Sequence, residues 1–287
     1  MTIAEALREA ERRLEAVGGS GRLDAVLLLE YVTDPPRESF ITNDARPLEP
    51  DEERALAQVV ERRLAGTPIA YITGEAGFFG RTFGVDERVL VPRPETEHIV
   101  EALIGALRAD GNTRGKIADI GTGSGAIAIS LAADLPDAWI FGTDISHGAI
   151  DVARRNAARN NVFQSCTFLH GDLAAPLGRF APFDGLAANL PYIPTADIPG
   201  RPDPVAFEPP LALDGGPDGL ALYRRLIAML PTLLAPEAPV VFEAAPGTIE
   251  PLAALVAEAF PRARPHIGRD FAGLGRYVAF TPEGRTL

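Results

Sequence analysis

Two short stretches carry residue types that could do chemistry. The first is Asp119-Ile-Gly121-Thr122-Gly123-Ser124-Gly125-Ala126, which falls between an apolar run and a helical pattern. Glycines let the backbone turn sharply and approach a ligand closely, and the following helix offers its N-terminal N–H groups. About 20 residues on, at the end of the next apolar run, Asp144 can accept hydrogen bonds from ribose hydroxyls. Together they point to a cofactor with an adenosine-like ribose, without fixing which one, because Gly-x-Gly-x-x-Ala also satisfies the dinucleotide fingerprint. The second stretch is Asn189-Leu190-Pro191-Tyr192. An Asn, a proline-shaped turn and an aromatic can hold a planar NH₂ group. The Asn189 side-chain oxygen and the carbonyl of residue 190 would accept its two hydrogens, and Tyr192 would lie against its plane. Such a nitrogen is a poor nucleophile, because its lone pair is delocalised. Two acceptors on its hydrogens stabilise the positive charge that grows as it attacks, and holding it in line with an electrophilic methyl supplies proximity.

The elements that must position these residues show in the apolar spacing. Ile3, Ala6, Leu7, Ala10, Leu14 and Val17 recur at helical intervals after a Thr2/Glu5 capping-box spacing, with Gly18-Gly19 as the stop. Two further helices are predicted at about residues 22–31 and 51–65, the latter ended by Gly66. Their apolar faces predict a small helical bundle. Residues 71–93 mix aromatics, β-branched residues and glycines, which suggests a short β-hairpin, and Pro94 is placed to open a helix through Leu107. From Lys116 onward strands and helices alternate. Strands are predicted at 116–120, 139–143, 166–170, 183–188, 239–243 and 276–281, and helices at 126–133, 147–160, 220–234 and 248–260, with Ser146 as an N-cap. This alternation predicts a parallel sheet with helices on both faces, an α/β doubly wound fold, whose strand carboxyl ends bind ligands. The domains expected are a helical one over residues 1–75, a hairpin linker over 76–93 and a catalytic one over 94–287.

Composition bounds the rest. The chain has 287 residues, 46% apolar and 23% charged, an ordinary globular balance. Cys166 is the single cysteine, so a disulfide framework is excluded, and a buried thiol is the expectation. No stretch approaches a membrane span, and the N-terminus shows no signal-peptide pattern, so a cytoplasmic protein is expected. The net charge of −12 divides evenly, −6 over residues 1–75 and −6 over the remainder. No broad basic excess favours phosphate binding, so direct nucleic-acid binding is not expected. His98, His147, His170 and His266 show no ligand spacing, so no metal is expected.

The chain resembles the protein-(glutamine-N5) methyltransferases of peptide chain release factors, the family called PrmC or HemK. The residues that carry the resemblance are Arg62–Gly74, Val89-Leu-Val-Pro-Arg-Pro-Glu-Thr-Glu97, Asp119–Ala126, Asn189–Tyr192, Glu208–Gly219 and Tyr223-Arg224. It covers nearly the whole chain. It implies a seven-stranded Rossmann-like methyltransferase domain and S-adenosyl-L-methionine as cofactor, held by Gly121, Thr122, Gly123, Ser124, Gly125 and Asp144. Asp172-Leu173 would lie by the adenine and Asn189 near the methyl group. It implies the glutamine of a Gly-Gly-Gln sequence in a class I release factor as acceptor, held by Asn189, Leu190, Pro191 and Tyr192. Asn189 and Tyr192 would be the catalytic pair, the helical domain would help dock the release factor, and the enzyme would act as a monomer.

Two departures stand out. The family usually has Asn-Pro-Pro-Tyr, and here Leu190 takes the second place, keeping the carbonyl while losing the fixed φ of a proline. After the fifth strand the family tends to have Glu, Gly and Gln, and here Glu243 is followed by Ala245 and Thr248. Three competing readings stay open from the residues alone. Adenine or guanine in DNA or ribosomal RNA also presents a planar NH₂ group. A nicotinamide-dependent oxidoreductase would use the glycine loop but leave Asn189–Tyr192 unexplained, and a non-catalytic binding module would follow from Leu190.

Overall fold

Thr2 starts the first helix as its spacing predicts. The Glu5 N–H donates to the Thr2 hydroxyl at 3.3 Å, and the Thr2 N–H donates to the Glu5 carboxylate at 2.9 Å. The computed structural model describes residues 1–15, 21–33 and 45–286, so Val17 and Gly18-Gly19 lie outside the described residues. Contacts divide the chain into two units, Met1–Glu75 with Pro199–Phe207, and Ala76–Ile198 with Glu208–Leu287.

The first unit is helical: α1 (Ile3–Leu14), α2 (Gly21–Thr33), α3 (Pro50–Leu64) and the single turn α4 (Ile69–Thr73). Ile3, Ala6, Ala10 and Leu14 fall on one face of α1 and bury against Ala25, Leu28 and Leu29 of α2 and Leu56, Val59 and Val60 of α3. Gly66 follows α3 at φ +98°, and a Cβ there would stand 2.2 Å from the Pro202 carbonyl oxygen. The segment Pro199–Phe207, far along the chain, is therefore seated against a position only glycine can fill. Removing the α1 cap by Thr2→Ala is expected to cost this unit about 1 kcal/mol, read as a lower urea midpoint at unchanged slope.

The second unit opens with the two-stranded hairpin β1 (Glu75–Phe78) and β2 (Arg81–Gly84). Phe78 and Phe83 are buried in one cluster with Ile99, Val100 and Leu103 of α5 (Glu97–Ala109), so the hairpin is part of this unit's core. Then come β3 (Lys116–Ile120), α6 (Ala126–Asp134), β4 (Trp139–Asp144), α7 (His147–Arg159), β5 (Cys166–His170) and β6 (Gly185–Ala188). The chain closes with α8 (Ala221–Met229), β7 (Val240–Glu243), α9 (Ile249–Ala259), β8 (His266–Arg269) and β9 (Gly275–Phe280).

The seven strands lie in the order β5-β4-β3-β6-β7-β9-β8. Five pair in parallel, but β9 runs antiparallel to β7 and β8, so the sheet is mixed rather than wholly parallel. Alternate residues feed opposite faces. Val240 and Phe242 pack beside Leu226 of α8 and Leu252 of α9, while Val241 packs beside Ile99 of α5 and Ile127 of α6. Helices thus cover both faces. The register puts Ile120, Asp144, His170, Ala188 and Glu243 at one edge, the carboxyl ends of the parallel strands. The order reverses between β3 and β6, and in open α/β sheets ligands bind at that switch point.

Candidate active site

A cavity of about 290 Å³ opens at that edge. Its walls include Gly121, Thr122, Gly123 and Ser124 after β3, Asp144 ending β4, Asp172 and Leu173 after β5, and Asn189, Leu190 and Pro191 after β6. Ten of the residues expected from the sequence therefore meet in one place. Gly125 and Tyr192 do not line it. Gly125 caps α6 at φ +83°, where a Cβ would meet Ile129 of α6 and Ala153 of α7, so its role is to let the two helices pack closely.

The glycine loop is held in shape by two carboxylates. Buried Asp119 accepts from the Thr122 hydroxyl at 2.6 Å and from the Ala128 N–H at 3.1 Å. Burial lifts its carboxyl to about 7, against the pull of those two donors. Asp144 accepts from the Gly123 N–H at 2.9 Å and the Ser146 N–H at 2.8 Å, which fastens the loop to the start of α7. Burial raises its pKa while both N–H groups oppose the shift. Each Asp144 oxygen spends one acceptor site on the backbone and keeps another for a ligand hydroxyl.

The turn after β6 is equally well tied down. The Asn189 Nδ2 donates to the Thr96 hydroxyl at 3.1 Å. The Tyr192 hydroxyl donates to Glu243 Oε1 at 3.3 Å. The Leu190 N–H donates to the Tyr223 hydroxyl at 3.2 Å, and that hydroxyl donates to the Glu243 backbone carbonyl. Burial carries the Glu243 carboxyl up to about 7. A Cβ on Gly121 would come within 3.0 Å of Leu190 Cδ2, so the two loops touch across the switch point.

Thr96, Glu243 and Tyr223 were not singled out as site residues by spacing. Thr96 lies within the Pro92–Glu97 stretch that carries the resemblance, but only the sheet order shows why it is there. Arg93, in the same stretch, lines the cavity and pairs with the Glu208 carboxylate. Cys166 is half-buried and its thiol is pushed up to about 12 by burial, which removes it as a nucleophile at neutral pH. Among the described residues no three His, Cys, Asp or Glu side chains stand together as a metal site.

Residues 5–74 match the family model described as the PrmC N-terminal domain, and residues 97–197 match the methyltransferase small domain. The fold is similar to that of a methyltransferase from Pyrococcus furiosus, at TM-score 0.51 and 18% identity over 80% of this chain and 100% of that one. It is also similar to an S-adenosylmethionine-dependent methyltransferase from Agrobacterium tumefaciens, at TM-score 0.50 and 17% identity over 72% and 70%. The fold and the family match over residues 97–197 define a methyltransferase.

The sequence relatives are more specific. A release factor glutamine methyltransferase of Moorella thermoacetica is 46% identical over 82% of this chain and 83% of its own length. Those of Bacillus anthracis and Bradyrhizobium diazoefficiens are 35% and 40% identical, each over 97% of this chain and 98% and 92% of their own. The chain belongs to the release factor glutamine methyltransferase family. The residues present fit its cofactor: a carboxylate with free acceptor sites at one wall for a ribose, apolar Ile145 and Leu173 for an adenine, and a glycine turn whose positive φ values leave room beside them.

Proposed function

We propose that this protein transfers the methyl group of S-adenosylmethionine to the side-chain amide nitrogen of the glutamine in the Gly-Gly-Gln motif of class I release factors. One observation carries the reading. The Asn189 amide stands at the switch point with its Nδ2 committed to Thr96 at 3.1 Å, which leaves its oxygen for the hydrogens of an incoming NH₂ group. The cofactor supplies an electrophilic methyl on a sulfonium. Gly121–Ser124 and Asp144 would hold it, with Asp172 and Leu173 on the side of the adenine and Asn189 on that of the methyl. The carbonyl of Leu190 takes the second hydrogen, and Tyr192 braces the turn through Glu243. As the amide nitrogen bonds to the methyl carbon, the bond from that carbon to the sulfonium breaks, releasing the neutral thioether S-adenosylhomocysteine. Both acceptors would stabilise the positive charge growing on nitrogen, and its surplus proton would leave to solvent.

The helical unit, matched over residues 5–74, docks the release factor. The enzyme acts as a monomer in the cytoplasm, and among the described residues no helix is long and apolar enough to cross a membrane. The test is radiolabelled methyl transfer to a purified class I release factor, its Gly-Gly-Gln glutamine-to-alanine variant, DNA and ribosomal RNA. Label on the native factor and not on the variant is the expected result. Label on nucleic acid alone would move the acceptor to an exocyclic base amine. Asp144→Ala is expected to weaken S-adenosylmethionine binding about fivefold to tenfold in calorimetry, since it removes an anionic acceptor and unties Gly123.

A further inference from the structure

We propose, on the reading of a class I release factor as substrate, that the β8–β9 hairpin with Phe271 at its tip is a docking surface for the folded domain that presents the acceptor glutamine. Phe271 is the most exposed large apolar side chain among the described residues, at 107%, and Leu274 in the same loop is 45% exposed. A single exposed leucine means little, since much of any protein surface is apolar. An aromatic ring standing wholly clear of its own fold is different, because it offers a partner a large, stiff apolar face.

The loop that carries the ring is tightly bonded. Asp270 Oδ1 accepts the N–H groups of Ala272 and Leu274, each at 2.9 Å, and Asp270 Oδ2 accepts from Arg276 Nε at 2.7 Å. The Asp270 N–H donates to the Leu274 carbonyl and the Gly273 N–H returns to the Asp270 carbonyl, both at 2.9 Å. The Arg269 guanidinium donates to the Gly273 carbonyl at 2.9 Å, and Gly273 closes the turn at φ +78°. Folding has therefore already ordered this backbone, and a partner that covers Phe271 has little left to immobilise.

The register says which partner. β9 runs antiparallel to β7, with Tyr277 opposite Glu243, and the Ala244 N–H donates to the Arg276 carbonyl at 3.0 Å. The loop thus projects beyond the carboxyl end of β7, on the edge where Asn189–Tyr192 stand. β9 lies two strands from β6, about 10 Å at the usual strand spacing. Arg276 also stands 3.8 Å from Glu95, the neighbour of the Thr96 that holds Asn189. The other exposed aromatics described in this unit, Trp139 and Phe163, lie at the opposite edge, at the start of β4 and just before β5. A protein-borne glutamine enters the cavity only if the domain carrying it lies on the carboxyl edge. A specific protein interface covers about 800 Å² of each partner, a disc of about 16 Å radius, so a domain seated over Asn189 covers the hairpin as well. A second copy of this chain on the same tip would obstruct the edge the acceptor has to reach.

The test is steady-state methylation of a purified full-length class I release factor at saturating S-adenosylmethionine, with the factor's concentration varied. Phe271→Asp is expected to raise KM for the factor about tenfold while leaving kcat and S-adenosylmethionine affinity within about twofold, the pattern of a contact made equally before and during the reaction. Phe271→Trp keeps a large apolar face and should keep KM within about twofold of native. Because the ring is wholly exposed, the urea midpoint should not move in either variant, which separates docking from folding. Native KM in Phe271→Asp overturns the proposal. So does a dimer in sedimentation that Phe271→Asp dissolves while KM stays unchanged, since the tip would then belong to a second copy of the chain. Failure of the native enzyme to label the factor refutes the substrate reading and this surface with it, whereas labelling at equal KM in native and variant enzyme refutes the surface alone.

Discussion

Asn189→Ala is expected to lower kcat for release-factor methylation about 10²- to 10³-fold while leaving S-adenosylmethionine affinity within about threefold. The first figure is what loss of one preorganised hydrogen-bonding group costs when charge develops at the reacting atom. An amide nitrogen carries little positive charge before attack and much more during it, so the acceptor matters more in the transition state than in the bound state. The split between kcat and cofactor affinity follows from the site. The carboxylates that shape the cofactor side, Asp119 and Asp144, sit on β3 and β4, and Asn189 follows β6. Asn189→Asp is the sharper companion. It keeps size and an acceptor but cannot donate to Thr96, so the oxygen loses its fixed orientation and the rate should fall as well. Rapid-quench transfer from labelled cofactor measures both. A loss below about tenfold in Asn189→Ala would mean that the carbonyl of residue 190 bears the reaction alone.

Fold and site were legible in the sequence to different depths, for physical reasons. The glycine loop, Asp144 and Asn189–Tyr192 are local signals, in which a turn or strand end is written in consecutive residues. Their convergence follows from the rule that ligands bind at the carboxyl edge of a doubly wound sheet, so the cavity could be placed before its walls were known. The partners that orient them are not local. Thr96 reaches Asn189 across 93 residues, Tyr192 reaches Glu243 across 51, and Leu190 reaches Tyr223 across 33. Those meetings depend on strand order, which periodicity does not encode.

Other differences are of the same kind. The helix predicted over residues 220–234 ends at Met229 and continues as a 3-10 turn, Leu230–Thr232. Pro231 explains it, because proline donates no N–H and disfavours the helical region for the residue before it. β8, His266–Arg269, was not predicted, since four residues with a charged end and a glycine lack a strand signature. Pairing with β9 creates it, and a Cβ on Gly268 would meet the Tyr277 ring at 1.9 Å, so a smooth side-chain pattern is excluded there. Within the proline-rich stretch 193–210, Pro199–Phe207 belongs to the helical unit, while Pro209 lines the cavity.

Leu190 supplies the second large effect, and the structure explains how this chain does without the family's proline. A proline there has no N–H to satisfy and a fixed φ. Leucine introduces a buried backbone donor, and Tyr223, fully buried, accepts it at 3.2 Å while donating its own hydrogen to the Glu243 carbonyl. The hydroxyl thereby ties the backbone of residue 190 to the end of β7, restoring by a hydrogen bond the restraint that the ring would have given. Pro191 adds its bias of residue 190 toward extended geometry. The leucine side chain is 3% exposed and reaches the glycine loop at Gly121, so the substitution also joins the turn after β6 to that loop. Tyr223→Phe is expected to lower kcat about ten- to hundredfold, the cost of leaving a buried N–H unpaired in the residue whose carbonyl is proposed to hold the substrate. In a Leu190→Pro background there is no N–H to strand, and the same change should cost less than about threefold, the remainder being the lost bond to the Glu243 carbonyl. Hydrogen exchange gives a second readout: the Leu190 amide should be protected in the native enzyme and exposed in Tyr223→Phe. Equal losses in both backgrounds with an amide still protected would show that Tyr223 acts only through the core around Phe242, and that the carbonyl of residue 190 is held by the turn itself.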